Sequence, residues 1–488
     1  MSTETDRDRA ERVHHTVVIG AGFAGLGMAA GLVRAGHADF VVLEKADDLG
    51  GTWRENTYPG CECDVPSVLY SYSFAPNRRW SGVRAAQSEI LGYLGRVADE
   101  HRIRDRIEFG VEVAGARWDE SGARWHVYTT AGREYVARFL VIGTGALHLP
   151  KVPRIPGAES FRGAQFHTAG WDHSVDLAGK SVAVIGTGAS AVQLVPQIAE
   201  RAGSLQLYQR TPPWVLPRRE RLPVPRTRLG AKILRGLTYC GAETLAAGLN
   251  GHPALVRPLE RRALRHLRRQ VGDPALRATL TPDYRIGCKR ILRSNNYFPA
   301  VADPRTEVVT ERIAEIRPDA VVTADGTVRP VDAIVYATGF RVAGALARLP
   351  LVGRGGVSLQ QRWQRDGIRT HLGISVSGLP NAFLLTGPNT GLGHTSVVFM
   401  IESQVRYALA AMELVADAAA RAIDVREDAQ SEFHEELHSK LAAAVWSTGG
   451  CRSWYVDAQG ANHSLWPGFS WQYRMRTRRV DRGAHELF

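Results

Sequence analysis

Short apolar runs punctuated by glycine-rich turns set the rhythm of this chain, and two stretches repeat the order strand, helix, strand. His15 to Ile19 predicts a strand, the glycines after it open a helix reaching about Ala35, and Phe40 to Leu43 predicts a strand ending on Glu44. Ser181 to Ile185 begins the second unit, which closes with a strand over Leu205 to Tyr208. Between the units lie predicted strands at Trp125 to Thr129 and Phe139 to Ile142. Pro150, Pro153 and Pro156 follow, a spacing that suits a stiff connector. From about Pro217 to Thr281 the pattern turns helical and rich in arginine. Strands resume at Ala320 to Val322 and Asp332 to Tyr336, and a last α/β stretch begins near Ala382. Residues 1 to 13 are polar and without period, so a disordered leader is expected there.

This order predicts an α/β protein with two Rossmann-like dinucleotide-binding domains and a helical insertion in the second. The first domain takes residues 14–148 and is completed by about 372–488. The second takes 149–216 and 282–371, and the insertion takes 217–281. A chain of 488 residues exceeds what one core serves, and 44% hydrophobic with 23% charged residues is ordinary globular composition.

The formal charge of +12 admits nucleic acid, an anionic membrane or small anionic ligands as partners. Much of the excess lies from Arg218 to Arg269 and from Arg474 to Arg482. Leu259, Ala263, Leu267 and Val271 recur every four residues among five arginines, which predicts a basic amphipathic helix with a solvated outer face. No nucleic-acid partner follows from this, and two polyanionic cofactors would suit the charge equally well. The uncharged run Val17 to Val33 holds five glycines and changes period midway, so it predicts neither a membrane span nor a secretory segment. Five scattered cysteines, Cys61, Cys63, Cys240, Cys288 and Cys451, suggest no disulfide framework and make a reducing cytoplasm the default compartment. No metal site is expected.

The candidate chemistry begins at Gly20, Gly22 and Gly25, which spell GxGxxG between a strand and a helix. Glycines there let the backbone approach a pyrophosphate, whose charge then meets the free N–H groups of the helix start. Glu44, 24 residues after Gly20, could accept hydrogen bonds from a ribose 2′-hydroxyl. The second cradle has Gly186, Gly188 and Ser190, with Ala191 in place of the third glycine, and Arg210 stands 24 residues after Gly186. A carboxylate in that slot repels a 2′-phosphate and a guanidinium pairs with it. The first cradle should therefore take FAD and the second NADPH, with Thr211 and Lys289 as further phosphate contacts.

The connector carries Phe161, Gly163, His167, Trp171 and Asp172, spelling FxGxxxHxxxWD. With these residues in place between two cradles, the chain from about His15 to Asp481 resembles the type I Baeyer–Villiger monooxygenases. Gly51, Thr52 and Trp53, Tyr58-Pro59-Gly60, Cys63-Asp64-Val65, Cys288-Lys289-Arg290, Ala337 to Phe340 and Gly387 to Thr390 also match family stretches. The resemblance implies that NADPH reduces FAD, O2 adds at the flavin C4a carbon, and the deprotonated peroxide attacks a ketone to give an ester or lactone. It implies Arg290 as the active-site cation, Asp64 as the acid that holds it, and Lys289 turned toward the NADP phosphate. It places Trp454 against the nicotinamide cofactor, and the Gly51-Thr52-Trp53 stretch on the flavin side. His167 reads as a hinge or structural residue. Cys61 and Cys63, spaced CxC where flavin disulfide reductases have CxxxxC, read as inert thiols. Two alternatives share the cofactors: an N- or S-oxygenating flavin monooxygenase, and an NADPH-dependent flavin reductase or oxidase.

Overall fold

The computed structural model describes residues 12–219, 227–342, 346–457 and 459–488. Residues 1–11 of the expected leader lie outside these, and the first strand begins earlier than the sequence predicts, at Val13. The reason is pairing: Val13 and His14 lie in register with Val136 and Ala137, so the partner strand extends the ladder past the apolar run.

The first sheet is ordered Leu351–Val352, Val113–Asp119, Arg124–Thr129, Glu134–Ile142, Val13–Ile19, Phe40–Glu44 and Ile107–Phe109. Ala382–Leu384 also pairs with Glu134–Ile142. The parallel strands Val13–Ile19 and Phe40–Glu44 flank the helix Phe23–Arg34, whose first ten residues are all buried. Burial on both faces explains why these strands read as continuous apolar runs instead of alternating ones. Leu351–Val352 returns to this sheet upstream of residue 372.

The second sheet is wholly parallel, in the order Thr306–Val309, Ser204–Tyr208, Ser181–Ile185, Ala333–Tyr336 and Ala164–His167. Its helix, Ala189–Ala199, packs on a separate core of Val182, Val184, Leu194, Leu205 and Val335. Ala320–Thr323 is not part of it; that strand forms a small antiparallel sheet with Ile313–Arg317 and Val328–Pro330.

In the insertion, Arg228–Leu249, Arg257–Gln270 and Pro274–Thr279 are helices. The basic helix Arg257–Gln270 buries Ala263, His266 and Leu267 and leaves Arg261, Arg262, Arg265, Arg268 and Arg269 exposed, which is a solvated outer face. Among the described residues no helix is long and apolar enough to cross a membrane.

The chain ends in a two-stranded ribbon, Ile423–Val425 against His485–Leu487, which buries Asp424. Burial pushes the Asp424 carboxyl up from 3.8 to about 7, although the Gly378 amide and the Arg354 charge pull it down. Between those two values the folded protein keeps a proton that the unfolded chain has released, so stability falls as pH rises through the window. Asp424→Asn should remove that decline. Thermal melts of both proteins from about pH 4 to about pH 8 should show the variant gaining several degrees on the parent as pH rises.

Candidate active site

The two glycine cradles sit at the carboxyl ends of their first strands, each at the start of the buried helix that follows. At the first, a Cβ on Gly25 would lie 1.7 Å from the Gly20 carbonyl oxygen, so only glycine lets helix and turn close. Gly22 faces Gly51, where a φ of 53° starts the short helix Thr52–Glu55. Glu44, at the end of its strand, accepts from the Ala21 amide at 2.7 Å and from the Ala46 amide at 3.0 Å. It thus braces the turn that would carry the pyrophosphate, and each oxygen keeps a second lone pair for a ribose hydroxyl.

At the second cradle, Gly188 has nothing within 4 Å of where its Cβ would be, open space of the kind a phosphate needs. Ser190 lies in the first turn of the helix behind it. Lys289 donates to the Thr211 hydroxyl, and burial together with the Arg210 charge holds its ammonium below the ordinary lysine range. Two cations and a hydroxyl converge at the end of strand Ser204–Tyr208, a donor set suited to a 2′-phosphate.

Arg290 and Asp64, the candidate catalytic pair, meet in the structure although 226 residues separate them. Arg290 donates from Nε to Asp64 Oδ2 at 2.6 Å and from Nη2 to Asp64 Oδ1 at 2.7 Å, a two-pronged pair. Its Nη1 donates to the Leu392 carbonyl at 2.9 Å. Burial pushes the Asp64 carboxyl up, but the charge and hydrogen bonds of Arg290 outweigh it and hold it below its ordinary value. Burial opposes the guanidinium charge as well, and Asp64 reverses that effect, so both members are ionised at neutral pH. Both remain about a quarter exposed, with side-chain accessibilities of 29% and 24%.

Local backbone bonding explains how distant segments meet here. The Cys63 amide donates to the Ala85 carbonyl, and Arg84 Nε donates to the Asp64 carbonyl, which fixes the segment carrying the acid. The segment after Arg290 is fixed by Leu292, which pairs with Val215. The adjacent side chains of Lys289 and Arg290, in the bend that precedes strand Leu292–Arg293, reach different partners, Thr211 and Asp64.

Tyr455, buried, and Tyr70, half-buried, lie beside this pair, and no motif in the sequence pointed to either. Burial pushes the Tyr455 phenol up to about 12, against the pull of the neighbouring Arg290 charge, so it stays a protonated donor. The Tyr70 hydroxyl accepts from Trp53 Nε1 at 3.1 Å. Adjacency to Trp454 was the one signal for Tyr455. Trp454 itself is 49% exposed, and its ring packs on Tyr455 with centroids 4.4 Å apart.

The structure corrects the cysteine reading. Cys288 and Cys451, 163 residues apart, form a disulfide. The Arg285 amide donates to the Gly449 carbonyl, and Gly449 lies so close to Cys288 that a Cβ there would be 2.8 Å from that of the cysteine. The bridge therefore ties the segment of Lys289 and Arg290 to that of Trp454 and Tyr455. Cys61 and Cys63 are free thiols; burial pushes Cys61 up to about 11 and raises Cys63 as well, which keeps both protonated and inert. His167 donates from Nε2 to the Gly339 carbonyl at 3.0 Å, while its Nδ1 accepts from the Ala169 amide at 3.1 Å. Burial lowers its basicity, so it is a neutral brace between the connector and the Ala337 to Phe340 turn.

The chain has relatives that match it over nearly its whole length. A protein described as Baeyer–Villiger monooxygenase from Pseudomonas aeruginosa is 43% identical in a match 486 residues long that covers 98% of this chain and 92% of that protein. One of the same description from Streptomyces coelicolor is 44% identical over 98% of this chain and 94% of its own length. This chain belongs to the Baeyer–Villiger monooxygenases.

Solved structures agree with that family. An oxidised steroid monooxygenase bound to NADP superposes with a TM-score of 0.87 at 32% identity, covering 98% of this chain and all of that one. A closed form of cyclohexanone monooxygenase superposes at 0.86 with 26% identity and the same coverage. The family model for pyridine nucleotide-disulphide oxidoreductases matches residues 17–223, which carry both cradles. As a Baeyer–Villiger monooxygenase the protein is a flavin enzyme, with FAD and NADPH as its cofactors.

Proposed function

We propose that this monooxygenase converts a ketone to an ester or lactone with O2, holding FAD at the first cradle and NADPH at the second. Gly20, Gly22, Gly25, Glu44, Gly51, Thr52, Trp53 and Asp64 serve the flavin side. Gly186, Gly188, Ser190, Arg210, Thr211, Lys289 and Trp454 serve the nicotinamide side. FAD, once reduced by NADPH, supplies the activated oxygen that enters the substrate. The reading divides the chain into an FAD unit of 14–148 with about 372–488, an NADPH unit of 149–216 with 282–371, and an insertion of 217–281. A cytoplasmic location is part of this reading, and the Cys288–Cys451 bridge is an unusual feature for such a compartment.

The observation that carries the reading is how the Arg290 donors are divided. A guanidinium has five N–H bonds. Two go to Asp64 and one to the Leu392 carbonyl, which among the described residues leaves one on each terminal nitrogen. Those two donors, fixed and always charged, stabilise negative charge that develops on oxygen and do not surrender a proton to it. Asp64 sets the orientation of the fork without taking a proton itself. Tyr455 adds a neutral hydroxyl beside them.

The test supplies purified enzyme with FAD, NADPH, air and a panel of cyclic, linear and aromatic ketones. Products heavier by one oxygen, formed as NADPH is consumed, are the expected result. NADPH consumption that yields only H2O2 with every ketone would overturn the reading in favour of an oxidase. Sulfoxides or hydroxylamines in place of esters, from sulfides and amines added to the panel, would favour heteroatom oxygenation.

A further inference from the structure

The helical insertion does not stop at the protein surface. Glu243, on its first helix Arg228–Leu249, is buried and turned inward. Its carboxylate accepts from the Ser470 amide at 3.0 Å and the Ser470 hydroxyl at 2.6 Å, and it meets His394 Nε2 at 3.1 Å. His394 is itself almost fully enclosed, with 1% of its side chain accessible. A carboxylate so enclosed is tolerated because donors surround it, and losing one would leave charge without compensation.

Two residues before His394 lies Leu392, whose carbonyl receives the Nη1 donor of Arg290. The turn between them is held at both ends. At one end the Gly391 amide donates to the Ser464 carbonyl, and the Trp466 amide donates to the Gly391 carbonyl, each at 2.9 Å. At the other end His394 contacts Glu243, and two residues on the Ser396 hydroxyl accepts from the Val398 amide and caps the helix that follows, so the His394 contact is the anchor that reaches the insertion. Gly393, in the middle, is wedged so that a Cβ would touch the Trp446 ring at 3.2 Å and Leu249 of the insertion helix at 3.4 Å.

We propose that Glu243 and His394 are positioning residues: they hold the Leu392 carbonyl where it fixes the Arg290 fork, and so couple the insertion to the oxygenating centre. Asp64 alone fixes one edge of the guanidinium and leaves it free to swing about that edge. The Leu392 carbonyl supplies the second anchor. Release of His394 frees the turn, lets Nη1 turn to other acceptors, and misdirects the two donors left for the reacting oxygen. The inference rests on the role given to Arg290 above.

The experiment compares holoenzyme variants His394→Ala, His394→Gln, Glu243→Gln and Arg290→Ala. His394→Ala should divert NADPH consumption from ester to H2O2 and lower ester formation on the order of ten- to a hundredfold, with the KM for NADPH unchanged. Amide hydrogen exchange in the 389–396 segment should quicken in the same variant. His394→Gln, which restores a donor to Glu243, should recover most of the coupling and the protection, and Glu243→Gln, which keeps one acceptor for His394 but sets an NH2 against the Ser470 amide, should recover less. Parent-like coupling and exchange in His394→Ala, or its failure to recover in His394→Gln despite a parent-like melting temperature, would overturn the proposal. Arg290→Ala separates the two levels of the argument. If it still makes ester at the parent rate, the assignment of Arg290 fails; if it is dead while His394→Ala is unaltered, only the present inference does.

Discussion

Arg290→Ala should lower ester formation by about 100- to 1000-fold while leaving NADPH binding close to the parent value. The loss is expected to be large because, in the proposed role, the two donors not used by Asp64 and Leu392 act where charge builds up on oxygen, in a mostly enclosed site that water screens poorly. Arg290→Lys should rescue little, since a lysine ammonium is a point charge and cannot keep the two-pronged contact with Asp64 while offering donors elsewhere. Removing the arginine also strands the Asp64 carboxylate, which burial already disfavours, so part of the effect will appear as lost stability. Arg290→Ala combined with Asp64→Ala should recover the melting temperature and none of the activity. Initial rates of ester and H2O2 formation, measured beside thermal melts, distinguish the two effects. Full recovery of ester formation in the double variant would show that Arg290 serves the fold alone.

Arg210→Ala should raise the KM for NADPH by roughly ten- to a hundredfold and leave that for NADH nearly unchanged. A charge-assisted contact to phosphate is worth about 1.5–3 kcal/mol, and each 1.4 kcal/mol is about a factor of ten. Lys289 and Thr211 remain beside the vacated position, which keeps the expected loss short of complete. Arg210 is exposed and at the end of its strand, so its removal should not move the melting temperature. Equal changes for the two nicotinamides would show that the guanidinium does not read the 2′-phosphate.

Both cradles were legible because they are local. A glycine turn between an apolar strand and a buried helix, with a carboxylate or guanidinium at a fixed offset, lies within some thirty consecutive residues. Strand ends were less legible: Val13 joins its sheet through a partner at Val136, and Ala320–Thr323 went to a separate small sheet although its apolar run looks like those of the second core. The resemblance named Arg290 and Asp64. It did not reveal that the Leu392 carbonyl completes the arginine's anchorage, or that Tyr455 stands beside the pair. Nor did it suggest that the insertion reaches the site through Glu243 and His394.

The sequence by itself determined the two nucleotide-binding units, their order and their contrast in charge, because strand and helix periodicity and turn chemistry act over neighbouring residues. Only the tertiary structure decided which distant groups share one space: Asp64 with Arg290, Cys288 with Cys451, and Glu243 with His394. Such pairs are set by how sheets and helices pack, and packing brings together residues whose separation of 150 or more along the chain carries no local trace.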